Sequence, residues 1–189
     1  AMAVEEPGEI AGSARVRSLL GRFYARRGQL QQAKALFLES LRLIPRYPLA
    51  LIYLADVETR LGNYREAESY YNKVYAYSGG VAIVFDHTVD RGMARVKELQ
   101  GDAIAARKLG EKAESEMRQE QGSEGFGHRR DLAHLLLEKG RSQDVTAALA
   151  LMHQEVKIRR DAVTLDTLAW ALSSAGDWEG ADRVMAEIL

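Results

Sequence analysis

From residue 14 onward, apolar residues recur in pairs of helical stripes, and a glycine interrupts each pair. The first two copies read LLGRFYARRGQLQQAKALFLESLRLIP and IYLADVETRLGNYREAESYYNKVYAYS. With an offset of 34 residues, Leu20 falls on Leu54, Gly21 on Ala55, Gly28 on Gly62, Leu30 on Tyr64, Ala33 on Ala67 and Phe37 on Tyr71. A third copy runs through Met93, Ala94, Gly101, Ala103, Ala106 and Ala113, and a fourth through Leu132, Ala133, Leu136, Gly140, Val145, Leu149 and Met152. The fifth holds Leu165, Leu168, Ala169, Leu172, Gly176, Trp178, Ala181, Met185 and Ile188. Each copy predicts two helices joined by a turn, with the mid-copy glycine supplying a left-handed residue at a helix end. Asn63, Asp102 and Asp177 follow their glycines as expected N-caps.

Small residues at Gly21, Ala55, Ala94, Ala133 and Ala169, and at Ala33, Ala67, Ala106 and Ala181, let paired helices approach closely. Phe37, Tyr71, Leu149 and Met185 are sized to fill the space between copies. This pattern resembles the tetratricopeptide repeat family over about 14–189. The resemblance implies an all-α fold, a right-handed α-solenoid of antiparallel helix-turn-helix units, with repeats near 14–47, 48–81, 87–120, 126–159 and 162–189. Copies three and four depart from it: Gly110 stands where a large residue is usual, and Val145 replaces a small one. Elaborated joins fall near 79–86 and 121–127 within one expected solenoid; two halves hinged at Gly122–Gly127 are the alternative. Residues 1–13 read as a flexible leader, with Ala1-Met2-Ala3 as a remnant of cloning. The last apolar stripe runs to Leu189, so a capping element is expected beyond it, with packing of that open end on another subunit as the alternative.

The resemblance further implies that the first helix of each repeat lines a binding groove. Repeat one would present Arg15, Ser18, Arg22, Ala25 and Arg26; repeat two, Leu49, Ile52, Asp56, Thr59 and Arg60; repeat three, Thr88, Arg91, Arg95 and Glu98. Repeat four adds Arg130, His134, Leu137 and Glu138, and repeat five adds Asp166, Trp170, Ser173 and Ser174. The expected partner-binding residues are therefore Arg15, Arg22, Arg26, Asp56, Arg60, Arg91, Arg95, Arg130, His134 and Trp170. Guanidinium groups grip carboxylates in two-pronged fashion, so an acidic or C-terminal-carboxylate peptide is the natural partner. The alternative is that these arginines are solvated or paired with neighbouring acids. Arg22 and Tyr53 occupy two places where tetratricopeptide clamps for chaperone tails carry Asn, which disfavours that partner.

Composition narrows the chemistry. The 189 residues contain no cysteine, which removes disulfides, zinc ribbons and thiol nucleophiles. The net charge of −1 argues against a general nucleic-acid binder, and no apolar run is long enough to span a bilayer. That near-neutrality hides an asymmetry: residues 14–47 hold eight Lys/Arg against Glu39, for +7, while residues 161–189 hold six acids against Arg183, for −5. Such ends suit head-to-tail self-association, with ordinary surface variation as the alternative.

His87, His128, His134 and His153 form no sequence-local ligand set, although Asp86, His87 and Asp90 cluster and His134 shares a helix face with Glu138. There is neither a phosphate-binding glycine loop followed by Lys nor a Gly-x-Ser-x-Gly elbow. The expected role is a non-catalytic interaction scaffold or adaptor, with no cofactor and no metal. A regulatory or substrate-docking segment of a larger enzyme, or a protein that assembles through its end repeats, are the alternatives. Cytoplasm and periplasm both remain open.

Overall fold

The computed structural model describes residues 9–78, 85–119 and 128–188. Among these residues it is all-helical, with ten helices and no strand: α1 (Ile10–Arg26), α2 (Leu30–Leu43), α3 (Pro48–Arg60), α4 (Tyr64–Ser78), α5 (Asp86–Leu99), α6 (Ala103–Gln119), α7 (Arg129–Lys139), α8 (Ser142–Glu155), α9 (Ala162–Ser174) and α10 (Trp178–Ala186). Contacts divide the chain into two compact units, Ala1–Ala113 and Glu114–Leu189. The join 121–127, with the hinge considered at Gly122–Gly127, lies outside the described residues, as do most of the join 79–86 and Ala1–Gly8 of the leader. Helix α1 begins at Ile10, earlier than the expected residue 14.

The turns follow from the glycines. Gly28, Gly62, Gly101, Gly140 and Gly176 all have positive φ, between 65° and 87°, and they are the only described residues that do. Four of them close the same motif. The N–H of the following residue reaches back five positions, as in Gln29 to Tyr24 O (3.0 Å), Asn63 to Glu58 O (2.9 Å), Asp102 to Lys97 O (2.9 Å) and Asp177 to Leu172 O (3.0 Å). Those bonds satisfy carbonyls that a helix end would otherwise leave without partners. Two of the three expected N-caps are formed: the Ala105 N–H donates to Asp102 Oδ1 (3.0 Å) and the Gly180 N–H to Asp177 Oδ1 (2.8 Å). The Asn63 amide instead donates to Glu58 Oε2 at 2.8 Å. Asp161 is an additional cap, accepting from the Thr164 N–H at 2.8 Å.

In the first unit α1 pairs with α2 and α3 with α4, and each second helix packs onto the next first helix. Phe37 of α2 fills the space between α1 and α3, packed with Ala25, Ala33, Leu54 and Val57. It lies so close to α1 that a Cβ on Gly21 would sit 2.9 Å from its Cδ1. Tyr71 of α4 does the same one repeat later, among Ile52, Ala55, Val74, Val89 and Met93, and only a glycine at position 92 leaves room for its ring. Polar side chains are sewn into these seams. Ser18 and Ser40 lie 3.0 Å apart, and Ser40 donates to Ala14 O at 2.8 Å. Buried Asp90 accepts from the Tyr75 hydroxyl and pairs with Lys112 Nζ at 2.9 Å.

Two ion pairs sit at equivalent places between repeats with their signs exchanged. Lys34 of α2 meets Glu58 of α3 at 2.6 Å; Glu68 of α4 meets Lys97 of α5 at 2.8 Å. Lys34 and Glu68 each lie six residues after a mid-repeat glycine, and Glu58 and Lys97 each lie four before the next. Burial pushes the Glu68 carboxyl up, but hydrogen bonds from Lys97 and Gln100 outweigh it and hold the group below the usual range.

In the second unit α7 pairs with α8 and α9 with α10, while α8 packs against α9. Leu132, Leu136, Ala148, Met152, Leu165, Ala171 and Ala181 are among its buried residues.

Candidate functional site

The first helices of successive repeats lie side by side within each unit, α1 with α3 and α3 with α5 in the first, α7 with α9 in the second. This arrangement decides which expected site residues meet.

On α1, Arg15, Arg22 and Arg26 are all exposed, one or two helical turns apart. The Arg22 guanidinium lies over the Tyr53 ring of α3, 5.6 Å from its centroid. Arg15 and Arg26 form no ion pair with any described residue. Arg60 of α3 reaches the other way: its Nη1 donates to Ala25 O at 2.7 Å, satisfying a carbonyl in the last turn of α1. Asp56, one turn before Arg60, is open to solvent but walled by protein on its other sides. Burial pushes its carboxyl above the usual range, and the positive charge of Arg60 partly offsets this. Nearby Tyr71 is pushed up in turn, first by burial and then by the Asp56 charge. On α5, Arg91 is half-buried, while exposed Arg95 pairs with Glu98 of its own helix at 2.5 Å.

The rotation of these helices corrects part of the expected lining. Ser18 and Ala25 are buried and do not line the exposed face; Ser18 bonds α2 through Ser40. Ile52 is buried in the α3–α5 core. Thr59 is buried too, its hydroxyl donating to Ala55 O at 2.8 Å. Leu137 of the second unit is likewise buried.

In that unit Arg130, His134 and Trp170 come together where α7 meets α9. Arg130 Nη1 lies 3.6 Å from Asp161 Oδ1 and 3.4 Å from Thr164 Oγ1, so an acid at the start of α9 neutralises it. The His134 and Trp170 rings meet edge to face at 4.8 Å, and His134 Nδ1 is 3.2 Å from Glu138 Oε1. Trp170 stays 36 % exposed. This face is aromatic and mixed in charge, whereas Arg15 and Arg26, without an ion pair to any described residue, belong to α1. Tyr53 and Asp161 were not among the expected site residues. Asp161 had a legible signal, an acid just before an apolar helical run; Tyr53 was read only as a departure from the chaperone-tail clamp, and its stacking with Arg22 depends on α1 and α3 lying side by side. A shallow concavity of about 570 Å³ on α4, bordered by Arg65, Glu68, Ser69, Asn72, Lys73 and Ala76, involves none of the ten. No described helix is long and apolar enough to cross a membrane.

Residues 12–78 match the tetratricopeptide repeat family model. Solved structures match over almost the whole chain. A thermophilic TPR protein of Thermus thermophilus is 20 % identical, covers 92 % of this chain and 89 % of its own, and superposes with a TM-score of 0.60. The nearly identical TPR-like repeats of a putative kinesin light chain from Podosopora anserina are 19 % identical, with 97 % and 95 % covered and a TM-score of 0.55. BtubC from P. vanneervenii is 18 % identical, with 96 % and 80 % covered and a TM-score of 0.53. No curated protein matches the sequence.

Proposed function

For a chain that carries tetratricopeptide repeats at 12–78 and has the fold of tetratricopeptide-repeat proteins over nearly all its length, we propose that it is a non-catalytic scaffold whose first unit binds an acidic protein segment. Protein–protein interaction is the general role of such a repeat scaffold. The finer reading rests on one observation: Arg15, Arg22 and Arg26 stand exposed along α1, two of them without an ion pair to any described residue and the third stacked on Tyr53. A guanidinium already spread over an aromatic ring is held in place, so less rotamer freedom is lost when it binds a carboxylate. Arg60, Arg95 and Arg130 are engaged within the chain and contribute less. The site therefore contracts from the whole row of first helices to α1 and the neighbouring edge of α3, with Asp56 setting a negative limit beside it.

The test is a titration of a fluorescent oligoglutamate peptide, with an oligolysine peptide of equal length as control, read by anisotropy. Oligoglutamate is expected to bind and to weaken with added salt. The double charge reversal Arg22→Glu/Arg26→Glu should weaken it by about tenfold or more, given up to about 1 kcal/mol for each exposed ion pair lost and repulsion in its place. Equal binding of both peptides, or an unchanged affinity in the variant, overturns the acidic-partner reading.

A further inference from the structure

The repeats themselves show what ought to cover α1. Twelve, eight and five residues before each mid-repeat glycine lie the positions that a first helix turns toward the preceding second helix. In α3 these are Ala50, Leu54 and Val57; in α5, Val89, Met93 and Val96; in α9, Thr164, Leu168 and Ala171. All nine are buried. In α1 they are Val16, Leu20 and Phe23, which are 64 %, 42 % and 52 % exposed, with Leu19 exposed beside them. These side chains stand opposite the Ala14–Ser18–Gly21–Ala25 face that α2 covers. An apolar stripe this long on one helix marks an interaction surface.

The complementary stripe is on α10. Two and nine residues after the mid-repeat glycine, a second helix carries the side chains that cover the next first helix: Leu30 and Phe37 in α2, Tyr64 and Tyr71 in α4. Their counterparts in α10 are Trp178 and Met185, 68 % and 36 % exposed. The charges around the two stripes are opposite. Arg15, Arg22, Arg26 and Arg27 flank the one on α1, with Arg27 lying over the Phe23 ring at 5.5 Å. Glu179, paired with Arg183 of its own helix at 3.8 Å, and Asp182 flank the one on α10, where Asp182 holds the place that Lys34 and Glu68 use to reach the next repeat.

We propose that the α1 stripe docks the α10 stripe of a second copy of this chain, so that two molecules stack head to tail through the same seam that joins α2 to α3. Trp178 and Met185 take the roles of Leu30 and Phe37 against Val16, Leu20 and Phe23, and Asp182 faces the Arg27 end of α1. The contact is heterologous, because each copy uses one surface and leaves the other unused.

Two variants of the full chain test this by sedimentation equilibrium, Leu20→Asp/Phe23→Asp on α1 and Trp178→Asp on α10. All three positions are exposed, so the helicity of each variant should match the parent by circular dichroism. The parent is expected to grow in mass with concentration, and each variant alone to lose self-association by about thirtyfold or more, as for central apolar anchors. Mixed in equal amounts, the two variants should form a one-to-one dimer, because the α1 surface is intact in one and the α10 surface in the other. Three results overturn the proposal: a parent that stays monomeric, a Trp178→Asp variant that still self-associates, or a mixture that stays monomeric. Neither variant touches Arg15, Arg22 or Arg26, so failure here leaves the acidic-partner reading standing.

Discussion

Lys34→Met isolates the energetics of the seam between α2 and α3. Glu58 is only 1 % exposed and its carboxylate has two partners, Lys34 Nζ at 2.6 Å and the Asn63 amide at 2.8 Å. Methionine keeps most of the lysine stem, so packing changes little and what is lost is the charge. Removing one partner of a buried pair costs about 3–5 kcal/mol. The retained Asn63 bond lowers the cost, which places the expected loss at about 2–4 kcal/mol.

The reverse deletion should be mild. Lys34 is a third exposed and can turn its ammonium to water, so Glu58→Met should cost about 1 kcal/mol or less, and adding Lys34→Met to it should cost almost nothing more. Urea unfolding followed by far-UV circular dichroism reads all three. A pH series adds a signature. Glu58 raises the Lys34 pKa through their hydrogen bond, so this stabilisation is complete below the ordinary lysine value and is lost only in strong alkali. A loss below about 1 kcal/mol, or a loss smaller than that of Glu58→Met, would refute the reasoning.

Two further substitutions probe the packing and the caps. Gly92→Ala puts a Cβ within 2.7 Å of Tyr71 Cε1, in a core that cannot give way freely, and should cost about 1–3 kcal/mol in urea unfolding; adding Tyr71→Leu should recover part of that loss. Asp161 is held below the usual carboxylate range, first by the Thr164 backbone N–H and then by the Thr164 side chain. Its stabilisation is therefore present above the ordinary value, about 3.9, and lost as pH falls through the lower folded value. Asp161→Asn keeps a capping oxygen and should unfold with a shallower acid dependence than the parent; identical profiles would show that the charge at this cap does not contribute.

What was legible in the sequence was what a single helix or turn decides for itself. Each mid-repeat glycine adopts positive φ because the backbone there tolerates little else, and Asp102 and Asp177 cap because their side chains act on residues three along. The start of α1 was less legible, because Glu9 makes no side-chain cap bond that would mark it. The site depended on how each helix is rotated about its axis. Ser18 and Ala25 share a stripe with Arg15 and Arg22 when counted along the chain, but the Ser18–Ser40 bond and the fit of Gly21 over Phe37 turn the first two inward. Glu58 did carry a signal that could have been read: an acid where the fourth and fifth repeats have Leu136 and Leu172 requires a partner from outside its own helix.

The exchanged signs of the two seam pairs make the order of the repeats self-checking. If α2 skipped a repeat and docked on α5, Lys34 would meet Lys97; if α4 fell back onto α3, Glu68 would meet the buried Glu58. Like charges forced together at an interface cost several kcal/mol, a large share of the stability of a small domain. The repeats share their turns and much of their apolar lining, so hydrophobic packing alone discriminates poorly among partners. Charge tells each helix which neighbour is its own, and it penalises both looping out a repeat and exchanging the wrong helix with another chain during folding.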